Sequence, residues 1–122
     1  MSPILRCLPA VVLSLPLLAW GAPPPQAERE VDQLITALGQ SGCQFQRNGT
    51  WYPAAEAQSH LRRKYDYLRK RDMVASAEQF IERAGTQSSM SGKAYQVRCP
   101  GKPVVTSAVW LNAKLGDIRH KP

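Results

Sequence analysis

Apolar residues recur at the spacing of a helix in four segments of the chain, and each segment predicts an amphipathic helix. Their apolar positions are, in chain order, Val31, Leu34, Ile35 and Leu38; Ala54, Ala57, Leu61, Tyr65 and Leu68; Met73, Ala77, Phe80, Ile81 and Ala84; and Leu111, Leu115 and Ile118. Short polar side chains satisfy the free N–H groups at the start of a helix. We therefore expect Asp72 to cap the third helix and Thr106 or Ser107 to cap the fourth.

Alternating polar and apolar residues indicate three strands between these helices. The dipeptide Asn48-Gly49 favours a type I′ turn, and a two-residue hairpin there pairs Phe45 with Tyr52 on the core side. Residues 95–99 alternate in the same way, after a polar loop at residues 86–92. The element order α-β-β-α-α-β-α predicts a small single α+β domain in which an antiparallel sheet packs on helices.

The N-terminal segment has the pattern of a cleaved export signal. Arg6 precedes an apolar run at residues 8–20, and small residues at the two recognition positions fit a cleavage site before Ala22. The run is shorter than the roughly 20 apolar residues that cross a bilayer, so we expect no transmembrane segment in the mature chain. The predicted organisation is a signal peptide at residues 1–21, a proline-rich lead-in at 22–25 and one domain at 26–122.

Cys43 and Cys99 are the cysteines that remain once the signal peptide is removed. An even pair of cysteines in an oxidising compartment predicts a disulfide bond, which would tie the third strand to the hairpin. Zinc binding is the alternative use of the pair, but His60 and His120 are the only histidines and their spacing does not match a zinc site. The sequence therefore predicts a disulfide and neither a metal nor another cofactor.

The chain is basic, with a formal net charge of +7 at pH 7, and its densest run of Lys and Arg lies between Arg62 and Arg71. We do not expect an exported basic protein to meet nucleic acid; acidic proteins, anionic glycans or anionic lipid head groups are the physical alternatives. The basic run is most simply explained by a solvated helix face. Attachment of this helix to an anionic membrane surface is an alternative function.

One set of residues has the chemistry of a hydrolase. His60 lies within a predicted helix, Glu56 lies one turn before it, and the polar loop supplies Ser88, Ser89 and Ser91 as nucleophiles. No Gly-x-Ser-x-Gly turn marks any of these serines. A structural histidine, paired with Glu56 or with a neighbouring loop, is therefore the simpler interpretation, and a small envelope hydrolase with His60 as its base is the alternative.

The polar loop itself has two interpretations. Backbone N–H groups and hydroxyls around Gly92, with Lys93 adjacent, are typical of a loop that cradles an anion. Serine-rich connections are more often plain surface loops between a helix and a strand, because short hydroxyl side chains hydrogen-bond their own backbone in turns. The sequence alone favours the plain loop and leaves the anion site open.

Four blocks of sequence, at residues 45–49, 56–64, 76–81 and 88–95, together resemble the YfeK-like family. This family comprises small exported bacterial proteins whose domain has no known function. The resemblance extends from the first helix of the mature chain to the third strand. It implies a periplasmic location in Gram-negative bacteria, and it carries over no assigned activity and no catalytic or binding residues.

The polar residues of these blocks lie in separate predicted elements, and we expect them to converge on one site. They are Arg47, Asn48, His60, Lys64, Glu78, Ser88, Ser89, Ser91 and Gly92. In a structural version they satisfy each other's hydrogen bonds and hold the loop down. In a functional version they receive an anionic or peptide ligand. The sequence therefore predicts a non-enzymatic periplasmic module that binds an envelope component, which is either an anionic ligand or a protein partner.

Overall fold

The computed structural model describes residues 23–121 of the protein. Its elements are, in chain order, α1 (Pro25–Gly39), β1 (Gln44–Arg47), β2 (Thr50–Pro53), α2 (Ala54–Arg69), α3 (Ala77–Phe80), which continues as a π-helical turn (Ile81–Gly85), β3 (Gln96–Arg98), β4 (Val105–Thr106) and α4 (Ser107–His120). The predicted α+β domain is confirmed, and β4 is a short strand that the sequence did not predict. The predicted signal peptide lies outside the described residues and stays a prediction.

Helix α1 begins at Pro25, which the sequence analysis assigned to an extended lead-in. Proline suits the first turn of a helix because N–H groups there have no acceptor within the helix, so the absence of an N–H in proline loses no hydrogen bond. The apolar stripes of α1 and α2 are buried as predicted except for Ala54, which is only half-buried. They form the core together with Phe80, whose ring meets the Tyr65 ring edge-on at 5.7 Å. Within residues 23–121, no helix is long and apolar enough to span a membrane.

The strands form one antiparallel sheet in the order β2-β1-β3-β4. The predicted hairpin is confirmed: Asn48 and Gly49 have φ angles of 50° and 81°, as a type I′ turn requires, and Phe45 faces Tyr52. Side chains alternate along a strand, so Arg47 lies on the same face as the buried Phe45. Because α2 packs on this face, Arg47 at its margin reaches α2.

The predicted disulfide between Cys43 and Cys99 is confirmed, with Cα atoms 4.2 Å apart. The sheet register explains their approach, since Gln44 faces Arg98 across β1 and β3 and the two cysteines are the next residues outward. The bond spans 56 residues of sequence, and closing such a loop stabilises the fold by about 4 kcal/mol in the chain-entropy model. It holds β3, and the segment just before it, against the hairpin.

The start of the third helix differs from the prediction. Asp72 does not cap it; with a φ of 55°, Asp72 lies in the turn that closes α2, and the N–H of the next residue, Met73, donates to the Leu68 carbonyl at 3.1 Å. This is the Schellman arrangement of a helix C-terminus. Helix α3 instead begins after Ser76, whose Oγ accepts a hydrogen bond from the Gln79 N–H at 3.1 Å.

Helix α4 begins as predicted, because the Thr106 Oγ1 accepts the Val109 N–H at 3.3 Å. The helix packs against the π-helical turn that follows α3. Gly85 in that turn makes room for Leu111, since a Cβ atom at Gly85 would lie 2.5 Å from the Leu111 Cδ1. The absence of a side chain at Gly85 therefore sets how closely α4 approaches this part of the core.

Candidate functional site

Helix α2 presents His60 and Lys64, one turn apart, toward the hairpin and the segment before β3. The His60 Nδ1 lies 2.6 Å from the Arg47 Nη1, and its Nε2 lies 3.1 Å from the Tyr95 hydroxyl. A guanidinium group only donates, so Nδ1 accepts, and in the neutral ring Nε2 carries the hydrogen and donates it to Tyr95. His60 therefore fixes the positions of Arg47 and Tyr95 relative to α2.

Tyr95 is buried beside His60, and its ring packs on Phe45 with centroids 4.8 Å apart. Its hydroxyl also accepts a hydrogen bond from the Lys64 Nζ at 3.0 Å, and Lys64 donates in addition to the Gln87 carbonyl at 3.2 Å. A phenol oxygen that accepts two hydrogen bonds still has its own O–H to donate. The structure thus places donors of Lys64, Tyr95 and Arg47 close together.

Burial and neighbouring positive charges determine the protonation of this group. Burial first, and then the charges of Arg47 and Lys64, lower the pKa of His60 from 6.5 to about 4. Burial and then Arg47 also lower the pKa of Lys64, while burial raises the pKa of Tyr95. At neutral pH His60 is consequently uncharged and Tyr95 keeps its hydrogen, which agrees with the hydrogen-bond directions above.

A cavity of about 450 Å³, the central cavity, adjoins this group between the hairpin, α2 and the loop before β3. Arg47, His60 and Lys64 line it together with Tyr95, and none of the aspartates and glutamates that the structure describes does. Among residues 23–121, no carboxylate lies within 4.0 Å of the Arg47 or Lys64 nitrogens either. The central cavity therefore has positive charge that the described chain does not neutralise with a salt bridge.

The serine loop, residues 88–92, is held against the hairpin turn. The Ser91 Oγ donates to the Asn48 Oδ1 at 2.5 Å, and the Asn48 Nδ2 donates to the Ser88 Oγ at 3.5 Å. Asn48 has the left-handed φ of the type I′ turn, so the residue that shapes the turn also tethers the loop. Hairpin and serine loop together form one wall of the central cavity.

Successive backbone N–H groups of the serine loop already have partners. Those of Met90 and Ser91 donate to the buried Ser88 Oγ at 3.3 Å each, and that of Gly92 donates to the Ser88 carbonyl at 2.9 Å. The next N–H, of Lys93, donates to the Ser91 Oγ at 3.2 Å. These groups are not available to an anion, so the loop shapes the cavity while the side chains of α2 and the hairpin provide its donors.

Comparison with known proteins places the chain in a family. A model of a family of unknown function, DUF5329, matches residues 25–119. The chain belongs to this family. The uncharacterized protein YfeK of Salmonella typhimurium is 36% identical over 96 residues, which cover 78% of this chain and 77% of that protein. The predicted YfeK-like membership is confirmed. No solved structure gives a significant match to the chain.

The DUF5329 domain brings most of the predicted site residues together. Six of them line the central cavity, namely Arg47, Asn48, His60, Lys64, Ser88 and Ser89. Ser91 contacts Asn48, and Gly92 provides the left-handed φ of 72° in the serine loop. Glu78 is the exception. It lies on α3, which packs near α1 and α4, and its carboxylate accepts a hydrogen bond from Arg119 instead.

The central cavity is also lined by four residues that were not predicted to belong to a site, namely Thr50, Tyr52, Met90 and Tyr95. Alternation predicts that Tyr95 faces the core, but it does not show that the hydroxyl reaches α2. One signal was present, because Tyr95 is the last residue of the fourth block that resembles the family. In the DUF5329 domain Tyr95 is the residue that links His60 to Lys64.

The hydrogen bonds at His60 differ from those of a catalytic triad. Arg47 and Tyr95 engage its two ring nitrogens, and in the described chain no serine hydroxyl bonds to either. Arg47 stands where a catalytic triad would place a carboxylate. Glu56 lines an adjoining cavity and makes no hydrogen bond to His60 in this part of the chain. No group of three His, Cys, Asp or Glu residues within residues 23–121 is placed to hold a metal ion.

Proposed function

We propose that this DUF5329 protein is a non-enzymatic binding module of the cell envelope, and that its central cavity binds an oxygen anion, a carboxylate or a phosphate, of an envelope component. The observation that carries the proposal is the convergence of Arg47, Lys64 and Tyr95 as donors in a cavity that no acidic side chain of residues 23–121 lines. An anion with several oxygens matches such a set of donors, since charge-assisted hydrogen bonds are the strong ones.

The three donors retain capacity for a ligand. Arg47 has five N–H groups and uses one arm on His60, while its guanidinium lies 4.9 Å over the ring of Tyr52. Lys64 has three N–H groups and uses two of them, on the Gln87 carbonyl and on Tyr95. These contacts fix the positions of the side chains before a ligand arrives, so binding costs little additional conformational entropy for ordering them.

The envelope setting rests on two observations. The N-terminal segment has the pattern of an export signal, and Cys43 and Cys99 form a disulfide. Disulfides form and persist in oxidising compartments such as the bacterial periplasm. Both observations support a periplasmic location, in which anionic groups of peptides, glycans and lipids would be accessible.

The proposal is tested by titrating the disulfide-bonded protein with acetate and with inorganic phosphate. We expect NMR shifts at His60 and Tyr95 that saturate, and Arg47→Gln or Lys64→Gln should weaken the affinity by about tenfold or more, because each removes a charged hydrogen bond. Arg98→Gln is the matched control, because this substitution removes the same charge at a residue that lies on the outer sheet face, over Trp51.

Two results would contradict the proposal. One is the absence of any saturable shift at His60 and Tyr95 with either anion. The other is an equal loss of affinity in Arg47→Gln and Arg98→Gln, which would mean that the anions respond to net charge and not to the central cavity.

A further inference from the structure

Two more cavities adjoin the central cavity, and all three share His60. The hairpin-side cavity, of about 460 Å³, is lined by Phe45, Tyr52 and Glu56 among others. The Tyr67 cavity, of about 390 Å³, is lined by Tyr67 and by the side chains of Leu68 and Arg83. The hairpin-side cavity shares Arg47 with the central cavity, and the Tyr67 cavity shares Lys64 with it. The three cavities therefore adjoin one another along α2, and together they are called the groove.

The floor of this groove is one stripe of α2. The α2 residues that line the cavities fall at 55–57, 59–60, 63–64 and 67–68, a four-residue repeat that follows the helix from its first turn to its last. At a rise of 1.5 Å per residue this stripe is about 20 Å long. An extended peptide of about six residues has the same length. A lone small anion would occupy the centre and leave both ends of the groove empty.

The chemistry of the groove changes along its length. Arg63, Lys64 and Arg83 make the Tyr67 cavity basic like the centre, and the Tyr67 ring and the Leu68 side chain give it in addition an apolar wall. The Arg71 guanidinium covers one face of the Tyr67 ring at 3.5 Å, but Tyr67 is still 57% exposed. Met90, at the edge of the central cavity, is 97% exposed, so both residues offer apolar surface to a ligand. Glu56, at the opposite end, is the only acidic residue of the described chain that lines the groove.

This order of subsites distinguishes ligand classes. A polyanionic glycan would match the basic centre, but it has no apolar side chain for the Tyr67 cavity. A peptide combines carboxylates with apolar side chains on one backbone. Along α2, Lys64 and Leu68 are one turn apart, about 6 Å, and residues i and i+2 of an extended peptide are separated by about the same distance on one face.

We propose that the groove binds an extended peptide segment, with an acidic side chain at Arg47 and Lys64 and an apolar side chain two residues away in the Tyr67 cavity. This inference rests on the proposed anion site and names its ligand class. Binding would place the peptide along α2, between the hairpin and serine-loop wall and Arg83.

The test uses N-acetylated, C-amidated alanine-based hexapeptides with one Glu and one Leu, separated by one, two or three positions in either order. We expect the two-residue spacing to bind best, and at least about tenfold more tightly than N-acetylglutamate amide, because a second side chain is buried. Tyr67→Ala should remove this gain without changing the affinity for acetate. Val109→Ala, at an equally exposed apolar position on α4, is the matched control.

The results separate the two proposals. If acetate or phosphate binds at Arg47 and Lys64 but no hexapeptide binds more tightly, the peptide inference is wrong and the anion site stands. If an anionic glycan such as polygalacturonate, or vesicles containing phosphatidylglycerol, bind more tightly than every hexapeptide and lose binding in Arg47→Gln, the ligand class is wrong. If none of the probes binds, both proposals fail.

Discussion

His60 organises the central cavity without carrying charge. It accepts a hydrogen bond from Arg47 and donates one to Tyr95, so the neutral ring is the form that holds both partners. Protonation would place a hydrogen on Nδ1 facing the guanidinium, and two donors with the same charge would then be in contact. The geometry of the donors for the proposed ligand therefore depends on the neutral state of this one side chain.

We expect the free energy of unfolding to decrease as the pH falls from about 6.5 to about 4, and His60 to cause part of the decrease. The folded state holds the pKa of His60 at about 4, below the ordinary value of 6.5. Between these values the unfolded chain binds a proton that the folded chain does not; above 6.5 neither does. Because the side chain is half-buried, we expect a contribution on the order of 1 kcal/mol.

Urea unfolding at pH 7 and at pH 4.5 measures this contribution. His60→Gln should lose less stability than the wild type between the two pH values, whereas His120→Gln, which changes an exposed histidine at the end of α4, should lose as much as the wild type. An identical loss in His60→Gln and the wild type would show that His60 titrates alike in the folded and unfolded chains.

At the scale of the elements, Asn48 connects the hairpin to the serine loop. Its φ of 50° also suits glycine, so Asn48→Gly keeps the type I′ turn but removes the amide that contacts Ser88 and Ser91. We expect a loss of about 1 kcal/mol in stability. We also expect the Met90 and Ser91 amides to exchange faster with solvent, which hydrogen-exchange NMR measures.

The control for this prediction is Ser59→Ala, which removes a side-chain hydrogen bond to the Ala55 carbonyl within α2 and leaves the serine loop intact. Exchange at Met90 and Ser91 should stay at the wild-type rate in this variant. If exchange at those two amides is also unchanged in Asn48→Gly, the tether does not hold the loop, and the wall of the central cavity is stable without it.

Elements with a repeated signal were predictable from the sequence, and elements that depend on one or two residues were not. The stripe of α2 repeats over four turns, so its buried face was correct. Asp72 and Ser76 are both favourable helix caps, and the choice between them depended on the hydrogen bond that closes α2 at Leu68. Strand β4 has two residues, Val105 and Thr106, which is too short for alternation to be recognised.

At the scale of the whole molecule, the central cavity draws on residues far apart in sequence, namely Arg47, His60 and Tyr95. Periodicity predicts which face of an element is buried, but not which residues of different elements meet. For this reason the sequence pointed to His60 and Lys64, missed the hydroxyl of Tyr95, and grouped Glu78 with them although α3 directs it toward α4. Long-range contacts of this kind follow from packing.

The ion pairs of Arg119 join three helices. Arg119 of α4 donates to the buried Glu30 of α1 at 2.8 Å and 3.0 Å, and also to Glu78 of α3. The hydrogen bonds from Arg119 lower the pKa of Glu30. Arg119→Met would leave the Glu30 charge buried without this partner, so we expect a loss of about 2 kcal/mol at pH 7, less than for a fully buried pair because Arg119 is partly exposed.

Urea unfolding of two further variants separates the buried charge from the loss of packing. Glu30→Gln combined with Arg119→Met should recover part of the stability, whereas Lys114→Met, which breaks an exposed pair with Asp117, should cost less than about 0.5 kcal/mol.

The stability difference between Arg119→Met and the wild type should also depend on pH. Because the pKa of Glu30 is lowered in the folded state, its contribution to stability is present above its ordinary pKa of 4.5 and is lost as the pH falls through the folded-state value. The deficit of Arg119→Met should therefore shrink in acid. A deficit that stays constant with pH would mean that Arg119 stabilises the helices through packing alone. Acetate affinity at the central cavity should be unchanged in all these variants, because the ion pairs and the cavity share no residue.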